Sequence, residues 1–264
     1  MKRKISNFLI LSLVVGMLAA AFYQEDLAGQ LSYVAGQMLA EQEEFVVVID
    51  PGHGGMDGGA QARDGTSEKD INLAISKGLK RRLQADGIKT VLTRNGDEGL
   101  YEKNAKGAIR TLKTQDMKRR KQIIEASGAD LTVSIHLNSF TQDPSVCGAQ
   151  VFYPSEGDPE VVAESKAAAK ILQDGFNKDI NTRKARGEMG KNDVFLLRCP
   201  SSPVIIAECG FLSNSEDLHN LKKRGYQEQI VKILHKSIRS YLQQKSRSKA
   251  SAHWVHDCFD PHSH

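Results

Sequence analysis

Two histidines and one glutamate occupy positions in this sequence where metal ligands are often found. His53 follows an apolar run typical of a buried β-strand, and His136 closes a second such run. Glu68 lies in the stretch SEKD, a capping signal that predicts the start of a helix. Side chains at the carboxyl ends of strands in an α/β sheet face the usual ligand crevice. Two histidines and a carboxylate with a fourth position open to water are the donors of a catalytic zinc site, so these three residues are candidate metal ligands.

Each of the three residues also has a purely structural interpretation. His53 could cap a turn, and His136 could be a hydrogen-bonded histidine of the core. An acid in the first turn of a helix, such as Glu68, is favoured by the helix dipole in any case. The sequence contains no HExxH helix, so the ligands would have to converge from distant segments. The residue pattern alone leaves both interpretations open.

The loop that carries His53 is rich in glycine. Residues 46–60 read VVVIDPGHGGMDGGA, with five glycines after the proline. The GxGxxG and GxxxxGK[ST] spacings of phosphate-binding loops are absent, which favours a metal site over a phosphate site. Asp50 and Asp57 could each orient His53 through a hydrogen bond, or could shape the turn.

A further carboxylate ends an apolar run near the end of the domain. Residues 204–214 read VIIAECGFLSN, with Glu208 at the end of the predicted strand. A charge that closes a buried strand costs free energy unless it is paired or used. Glu208 is therefore the candidate general base beside a metal-activated water, and the alternative is a structural ion pair with an arginine such as Arg94. Cys209 is a poor candidate nucleophile because no thiolate-stabilising residue stands near it in sequence.

Apolar periodicity predicts about six strands that alternate with amphipathic helices. Strand, helix and strand in that order indicate parallel pairs with right-handed crossovers. The sequence therefore predicts an α/β fold, a single three-layer α/β/α domain with a roughly six-stranded, mostly parallel twisted sheet. Residues 95–114 are expected to form an exposed loop with some helix, and no element is predicted for 181–192. The predicted strands cover 46–49, 88–93, 131–136, 149–153, 194–197 and 204–207, and the predicted helices cover 68–85, 115–127, 159–180 and 227–242.

The first 24 residues have the composition of an export segment. A basic start, KRK at residues 2–4, precedes an uncharged apolar run at 8–23 that includes an Ala-Ala-Ala cleavage site. Since the run is slightly short for a spanning helix of about 20 residues, residues 1–24 are expected to be either a cleaved signal peptide or an N-terminal anchor. We expect a spacer at 25–44 and a catalytic domain at 45–243 that lies outside the cytoplasm and meets a membrane only through the N-terminal segment.

The end of the chain, residues 244–264, is a polar tail. We expect it to be disordered, and a second metal site is the less favoured alternative. The four cysteines show no CxxC spacing, and a chain of 264 residues needs no disulfide framework, so structural pairing is not expected. The metal-binding residue types in the tail are His253, His256, Cys258, His262 and His264, and the other cysteines are Cys147, Cys199 and Cys209.

The charge balance gives a weak indication of the partner. The formal net charge of +4 is mildly basic and suits an acidic polymer. Aromatic residues make up only 6% of the chain and do not cluster with basic residues, so nucleic acid is not an expected partner.

Taken together, four stretches resemble the zinc-dependent N-acetylmuramoyl-L-alanine amidase family, the amidase 3 catalytic domain. They keep the family's order and span about residues 45–242. The resemblance implies one Zn²⁺ ion held by His53, Glu68 and His136, with Glu208 as the catalytic carboxylate. Candidates for supporting the ligands or contacting the substrate are Asp57, Asn138 and Arg94. The matching stretches are VVVIDPGHGGMDGGA, EKDINL at 68–73, ADLTVSIHLNS at 129–139 and PVIIAECGFLSN at 203–214.

The resemblance also implies a substrate and a setting. The bond to be cleaved is the amide between the lactyl group of N-acetylmuramic acid and the L-alanine of the peptidoglycan stem peptide. Within the family the chain is most similar to the germination-specific amidases of the spore cortex. For those, stem-peptide removal is a step towards muramic-δ-lactam, and a peptidoglycan deacetylase acts on the product. The expected location is the cell envelope after export, such as the spore intermembrane space.

Two other functions remain alternatives. One is a zinc carboxypeptidase or endopeptidase that cleaves a peptide bond within the stem peptide. The other is a non-catalytic wall-binding module, which a complete ligand set with a general base disfavours. The products released from peptidoglycan would separate the amidase from the peptidase.

Overall fold

The computed structural model describes residues 44–102, 108–198 and 200–258. The predicted export segment and residues 25–43 of the spacer lie outside the described residues, as do Cys199, His262 and His264. In the described ranges no helix has both the length and the apolarity that crossing a bilayer requires. The predictions for residues 1–43 and 259–264 therefore stay predictions.

A six-stranded mixed sheet forms the centre of the domain. Its strands are β1 (Val46–Pro51), β2 (Lys89–Leu92), β3 (Leu131–Asn138), β4 (Gln150–Pro154), β5 (Met189–Lys191) and β6 (Val204–Phe211). Their spatial order is β2-β1-β3-β6-β4-β5. Four strands, β2, β1, β3 and β6, run parallel, whereas β4 is antiparallel to β6 and pairs in parallel with β5. The predicted mostly parallel sheet is confirmed, and the carboxyl ends of β1, β3 and β6 meet at one edge.

Helices cover both faces of this sheet. In the described residues they are α1 (Glu68–Ala85), α2 (Ile109–Ser127), α3 (Pro159–Asp179), α4 (Ser215–Leu221) and α5 (Arg224–Cys258), with a 3-10 helix at Phe195–Leu197. Helices α1 and α3 both pack on α5 and bury the larger core against one face of the sheet. On the other face, α2 packs near β1 and contacts the 3-10 helix. This arrangement confirms the predicted three-layer α/β/α architecture.

The alternation of side chains along the strands decides which residues face α2. On β1, Val47 and Ile49 enter the larger core, whereas Val48 packs with Ile124 of α2. Because side chains alternate between the two faces of a strand, Asp50 faces α2, as Val48 does. The same alternation on the neighbouring strands places His136 and Glu208 on that face. Asp50, His136 and Glu208 therefore share the face covered by α2, near the carboxyl ends of their strands.

One predicted strand is wrong, and one short strand was missed. Residues 194–197 form a 3-10 helix in place of a strand, with Leu196 and Leu197 buried against the sheet. A short buried apolar run does not by itself distinguish a strand from a helical turn. The strand at this end of the sheet is β5, three residues long with Met189 half exposed. It lies within 181–192, where no apolar alternation indicated an element.

Two helices are longer than their periodicity indicated. Helix α2 begins at Ile109 and not at residue 115, and the signal was weak because few of its side chains are buried. Helix α5 continues through Cys258, so the expectation of a disordered tail is wrong for residues 244–258. Lys245 Nζ lies 2.7 Å from Glu164 of α3, which ties the first turn beyond residue 243 to the domain.

The cysteines that the structure describes with their side chains are unpaired. Cys147 is partly exposed and Cys209 is buried, and neither forms a disulfide. The pairing state of Cys199 and Cys258 stays a prediction.

Candidate metal centre

Three distant segments bring His53, Glu68 and His136 together at the carboxyl edge of the sheet. His53 follows β1, Glu68 is the first residue of α1, and His136 lies near the end of β3. Nε2 of His53 is 3.2 Å and Nδ1 of His136 is 3.0 Å from Oε1 of Glu68. One ligand atom from each residue lies within 4.8 Å of the other two. The three candidate ligands therefore converge from distant segments, as a metal site built from them requires.

The charges of this cluster suit a bound cation. Burial opposes ionisation of Glu68, but hydrogen bonds from His136 and His53 hold the pKa of its carboxyl well below the usual range. Burial also disfavours a charged His53, yet the carboxylates of Asp57 and Glu68 raise the pKa of its imidazole to about 9. Two carboxylates thus stabilise positive charge at the His53 imidazole. A His, Glu and His donor set is one that zinc accepts, so the residues fit the metal that the family implies.

Further bonds fix the orientation of the Glu68 carboxylate. Its Oε2 accepts from the Ala60 N–H at 2.8 Å, and its Oε1 accepts from the Leu137 N–H at 3.0 Å. The amide of Asn72, one turn along α1, donates to Oε1 at 3.2 Å. Ser67 is the residue before the helix, but its hydroxyl donates to the Gly58 carbonyl at 2.8 Å and does not cap α1 as the sequence signal indicated. These contacts tie the start of α1 to the glycine loop.

Glycines let the loop pass close to the cluster. A Cβ on Gly52 would overlap the imidazole of His136, and a Cβ on Gly59 would lie 2.7 Å from Cδ2 of His53. Gly59 also has a φ of 69°, which side chains other than glycine adopt rarely. Larger residues at these two positions would displace the candidate ligands.

Asp57 supports His53, as one of the two interpretations of the sequence proposed. Its Oδ2 lies 3.0 Å from His53 Nδ1. An Nδ1–H donated to this carboxylate leaves Nε2 facing Glu68 and available to a metal. Lys113 of α2 holds the other carboxylate oxygen at 2.7 Å. His53 is thus oriented from its side-chain end by a chain of charges that starts on α2.

Asp50, the other acid of the loop, has a different role. It is buried and accepts hydrogen bonds from Thr93 Oγ1 at 2.5 Å and from Ser134 Oγ and Arg120 at 2.6 Å each. Burial would raise its pKa, but the Arg120 guanidinium and the two hydroxyls lower the pKa to about 2. Asp50 therefore anchors a buried ion pair below the loop and does not contact the His53 imidazole through any hydrogen bond that the structure records.

Arg120 was missed in the sequence. It lies in MKRRK at residues 117–121, a basic run that is typical of a solvated helix face. The signal that could have found it is its spacing: Leu112, Arg120 and Ile124 are the buried residues of α2 and recur at intervals of eight and four. A charged residue on the buried stripe of an amphipathic helix indicates a specific partner.

The hydrogen bonds of the Arg94 and Asn138 side chains go to main-chain groups and not to the side chains of the three candidate ligands. The Arg94 guanidinium is buried and donates to the carbonyls of Pro51, Gly52 and Lys69 at 2.9 Å each. It holds the main chain of the loop. Asn138 lies at the end of β3, where its Oδ1 accepts from the Ser139 N–H at 2.8 Å.

Glu208 stands opposite His136 in the register of β6 and β3. Among the described residues its buried Oε2 has no hydrogen-bond partner. Burial raises the pKa of the carboxyl, and the nearby Glu68 adds to this rise while His136 opposes it. The structural alternative of a pair with Arg94 is wrong, because the recorded bonds of Arg94 go to main-chain carbonyls. A carboxylate with a buried oxygen that has no structural partner is typical of a functional group.

Cys209 does not compete for a catalytic role. It is buried in the larger core on the opposite face of the sheet from Glu208. Burial raises the pKa of its thiol, which leaves little thiolate to act as a nucleophile.

An apolar cavity of about 240 Å³ opens beside the two histidines. His53 and His136 contribute to its wall, together with side chains of α2, the glycine loop, the 3-10 helix and strands β3 and β6. No local pattern in the sequence predicts this cavity, because its wall combines segments that are far apart along the chain. Its apolar lining residues are Met56, Ile109, Leu112, Met117, Val194, Leu196 and Ile206.

The fold and the site define a class of α/β proteins with a His, Glu and His cluster at the carboxyl edge of the sheet, and comparison with known families identifies the family. The profile of the N-acetylmuramoyl-L-alanine amidase family (Amidase_3) matches residues 47–240. The chain belongs to this family and is an N-acetylmuramoyl-L-alanine amidase that acts on peptidoglycan. The resemblance found in the sequence motifs is confirmed, and a cell-wall substrate places the enzyme outside the cytoplasm.

Individual relatives are similar to this chain over most of its length. The chain is 34% identical over 202 residues to the germination-specific N-acetylmuramoyl-L-alanine amidase of Bacillus subtilis, covering 76% of this chain and 81% of the relative. It is 30% identical to the amidase AmiA of Escherichia coli, covering 77% and 80%. Among solved structures, the CwlD amidase of Clostridioides difficile in complex with the GerS lipoprotein is 36% identical with a TM-score of 0.71, covering 75% of this chain and 98% of that one.

Proposed function

We propose that this amidase uses one zinc ion, held by His53, Glu68 and His136, to cleave stem peptides from the peptidoglycan of the spore cortex. The observation that carries the proposal is the convergence of two imidazoles and a carboxylate within 4.8 Å, with Glu208 opposite His136. A bound zinc ion would supply Lewis acidity, which lowers the pKa of water and polarises a carbonyl.

Glu208 is the proton-transfer group in this proposal. Its carboxylate takes the proton of the attacking water and delivers it to the nitrogen of L-alanine as the amide bond breaks. The pKa of a general base works best near the operating pH, and burial raises the pKa of Glu208 in that direction. The absence of a structural partner for Oε2 among the described residues leaves it free to accept that proton.

The other residues of the site hold these groups in place. Asp57 keeps Nδ1 of His53 engaged, which directs Nε2 towards Glu68. Arg94 fixes the main chain between β1 and the loop through the carbonyls of Pro51 and Gly52. Asn138 is the last residue of β3, at the carboxyl edge of the sheet, where we propose that it contacts the substrate.

The cortex role is supported by similarity to the germination-specific amidase of Bacillus subtilis. On this basis the protein is exported through its N-terminal segment and acts in the cell envelope, in the spore intermembrane space. Stem-peptide removal there exposes muramic acid residues on which a deacetylase acts, and the final product is muramic-δ-lactam.

Complementation tests the cortex role separately from the chemistry. The gene would be expressed in a Bacillus subtilis strain that lacks its germination-specific amidase, and the cortex muropeptides would be analysed by mass spectrometry. Restored muramic-δ-lactam is the expected result. If the purified enzyme cleaves peptidoglycan but the exported protein restores no lactam, the cortex role is wrong while the amidase assignment stands.

The products distinguish the amidase from a stem-peptide peptidase. Purified enzyme on isolated peptidoglycan should release intact peptides that begin with L-alanine and leave peptide-free muramic acid. Release of single amino acids, or of peptide fragments that lack L-alanine, would instead support the carboxypeptidase or endopeptidase alternative. A wall-binding module would release neither.

A further inference from the structure

Arg120 connects α2 to the main chain of a candidate ligand. Its NH2 group donates to the carbonyl oxygen of His53 at 2.6 Å. Its NH1 group donates to Asp50 at 2.6 Å and to the Pro51 carbonyl at 2.8 Å, and its Nε donates to Asp116 at 2.6 Å. The side chain is buried, with 1% of its surface exposed. One guanidinium therefore joins helix α2, the end of β1 and the His53 peptide.

The main chain at His53 needs such a restraint. Its φ of 62° lies in the left-handed region, and among the described residues it is the one non-glycine residue with a positive φ. Such a conformation persists only where the surroundings hold it in place. The residue that follows is Gly54, with a φ of 138°, so the chain on that side offers little stiffness of its own. A charged donor on the His53 carbonyl fixes the plane of the peptide between them.

The same helix also reaches the other end of His53. Lys113 lies 2.7 Å from Asp57, whose second oxygen lies 3.0 Å from His53 Nδ1. Lys113 and Arg120 are seven residues apart, or two turns, so they extend from one side of α2. Both the backbone carbonyl and the imidazole of His53 are thus held by cations of a single helix.

We propose that Arg120 is a positioning residue that sets the metal affinity of the site through the main chain of His53. This inference deepens the proposed function and rests on the proposed metal site. Arg120 lies below the loop and does not touch the imidazole through a recorded bond. It acts by keeping His53 in the left-handed conformation that directs Nε2 towards Glu68 and His136.

The role requires an arginine and not merely a positive charge. Its planar fork donates in several fixed directions at once, whereas a lysine ammonium is a single point of charge on a flexible stem. A lysine at position 120 could keep the pair with Asp50 but could not reach the His53 carbonyl and Asp116 at the same time. Arg120→Lys therefore separates the charge from the geometry.

Zinc affinity of the metal-free protein is the direct measurement. Wild type and Arg120→Lys would be stripped of metal and titrated with zinc in competition with a chromogenic chelator. Loss of partners that orient a ligand typically costs 10- to 100-fold in metal affinity, and we expect a decrease in this range. At saturating zinc, the kcat of Arg120→Lys on peptidoglycan should approach the wild-type kcat, and its KM should equal that of wild type, because Glu208 and the ligands themselves are intact.

Ile124→Ala is the matched control. Ile124 lies one turn beyond Arg120 on the buried stripe of α2 and packs against Val48, away from the loop. The variant should lower the thermal stability of the metal-free protein while keeping wild-type zinc affinity. If Ile124→Ala loses as much affinity as Arg120→Lys, the effect is a general consequence of lost stability and the proposal is wrong.

The outcomes separate this inference from the site itself. Wild-type protein that binds no zinc would refute the metal site, whereas tight binding by both wild type and Arg120→Lys would refute only the role of Arg120. If circular dichroism shows that Arg120→Lys does not fold, Asp116→Asn replaces it in the experiment. That variant removes the charge of the acceptor for Nε but keeps the arginine, and at least a threefold loss of zinc affinity is expected. Unchanged affinity in Asp116→Asn would then overturn the proposal.

Discussion

His136 and Glu208 lie directly opposite each other on β3 and β6, the two parallel strands at the centre of the sheet. Both side chains are on the face covered by α2. The register therefore places a candidate ligand next to the candidate base without help from any loop. The two strands pair in regular parallel register up to this residue pair, and the register shifts directly after it, between His136 and Asn138. The glycine loop carries His53 and also orients Glu68 through the Ala60 N–H.

Removal of a ligand should abolish metal binding. We expect His53→Ala to lose zinc during dialysis against a weak chelator, since two remaining ligands hold the ion poorly. His235→Ala is a suitable control, because that histidine pairs with Asp86 at the end of α1 opposite Glu68. It should retain one zinc per chain by elemental analysis. Full zinc retention in His53→Ala would exclude it as a ligand.

The close approach of the loop predicts a strong effect at Gly59. A methyl group there would meet His53 and Glu68, so Gly59→Ala should reduce zinc affinity and peptidoglycan cleavage by at least tenfold. Gly65→Ala tests backbone strain alone, because Gly65 also has a positive φ, 85°, but a Cβ there has no neighbour within 4 Å. The control variant should lose about 1 kcal/mol of stability and should keep wild-type zinc affinity and peptidoglycan cleavage. Equal losses in the two variants would show that overlap with the ligands is not the cause.

The buried pair of Asp50 and Arg120 predicts a particular dependence of stability on pH. The pKa of Asp50 is about 2 in the folded protein and about 3.9 in an unfolded chain. Its ionised form therefore stabilises the fold above pH 4, by about 2.6 kcal/mol at neutral pH. This contribution is lost as the pH falls from 4 through 2.

Asp50→Asn isolates this contribution from those of other acids. The variant should be less stable at pH 5, since it leaves Arg120 with Asp116 as its remaining carboxylate partner. Urea unfolding of the metal-free proteins at pH 5 and pH 3 measures the gap in the free energy of unfolding between variant and wild type. The gap should narrow by about 1 kcal/mol at the lower pH. A constant or growing gap would contradict the depressed pKa.

The sequence revealed those parts of the molecule whose signal is local. The strand at Val46–Pro51 is an apolar run that His53 follows, and the strand at Leu131–Asn138 contains an apolar run that His136 closes. The periodicity of α1 continues through Leu83. These patterns located His53, Glu68 and His136 and predicted the sheet. Glu208 was visible because a charge that closes an apolar run is rare.

The parts that were missed depend on packing between segments far apart in sequence. Arg120 belongs to a run of basic residues, and only its burial against Asp50, 70 positions away, distinguishes it from its neighbours. The apolar run at 194–197 is buried whether it is a strand or a turn, so its hydrophobicity could not decide between the two. Strand β5 contains Gly190 and an exposed Met189, and it exists because β4 offers it an edge.

The most direct test of the central claim is the turnover of zinc-loaded Glu208→Gln on purified peptidoglycan, measured by mass spectrometry of released stem peptides. The amide cannot take a proton from water, so release should fall by 10²- to 10⁴-fold while zinc content stays at the wild-type level. Cys209→Ala, the neighbouring residue on the opposite face, should retain most of its activity. Wild-type release by the glutamine variant would contradict the assignment of Glu208 as the general base.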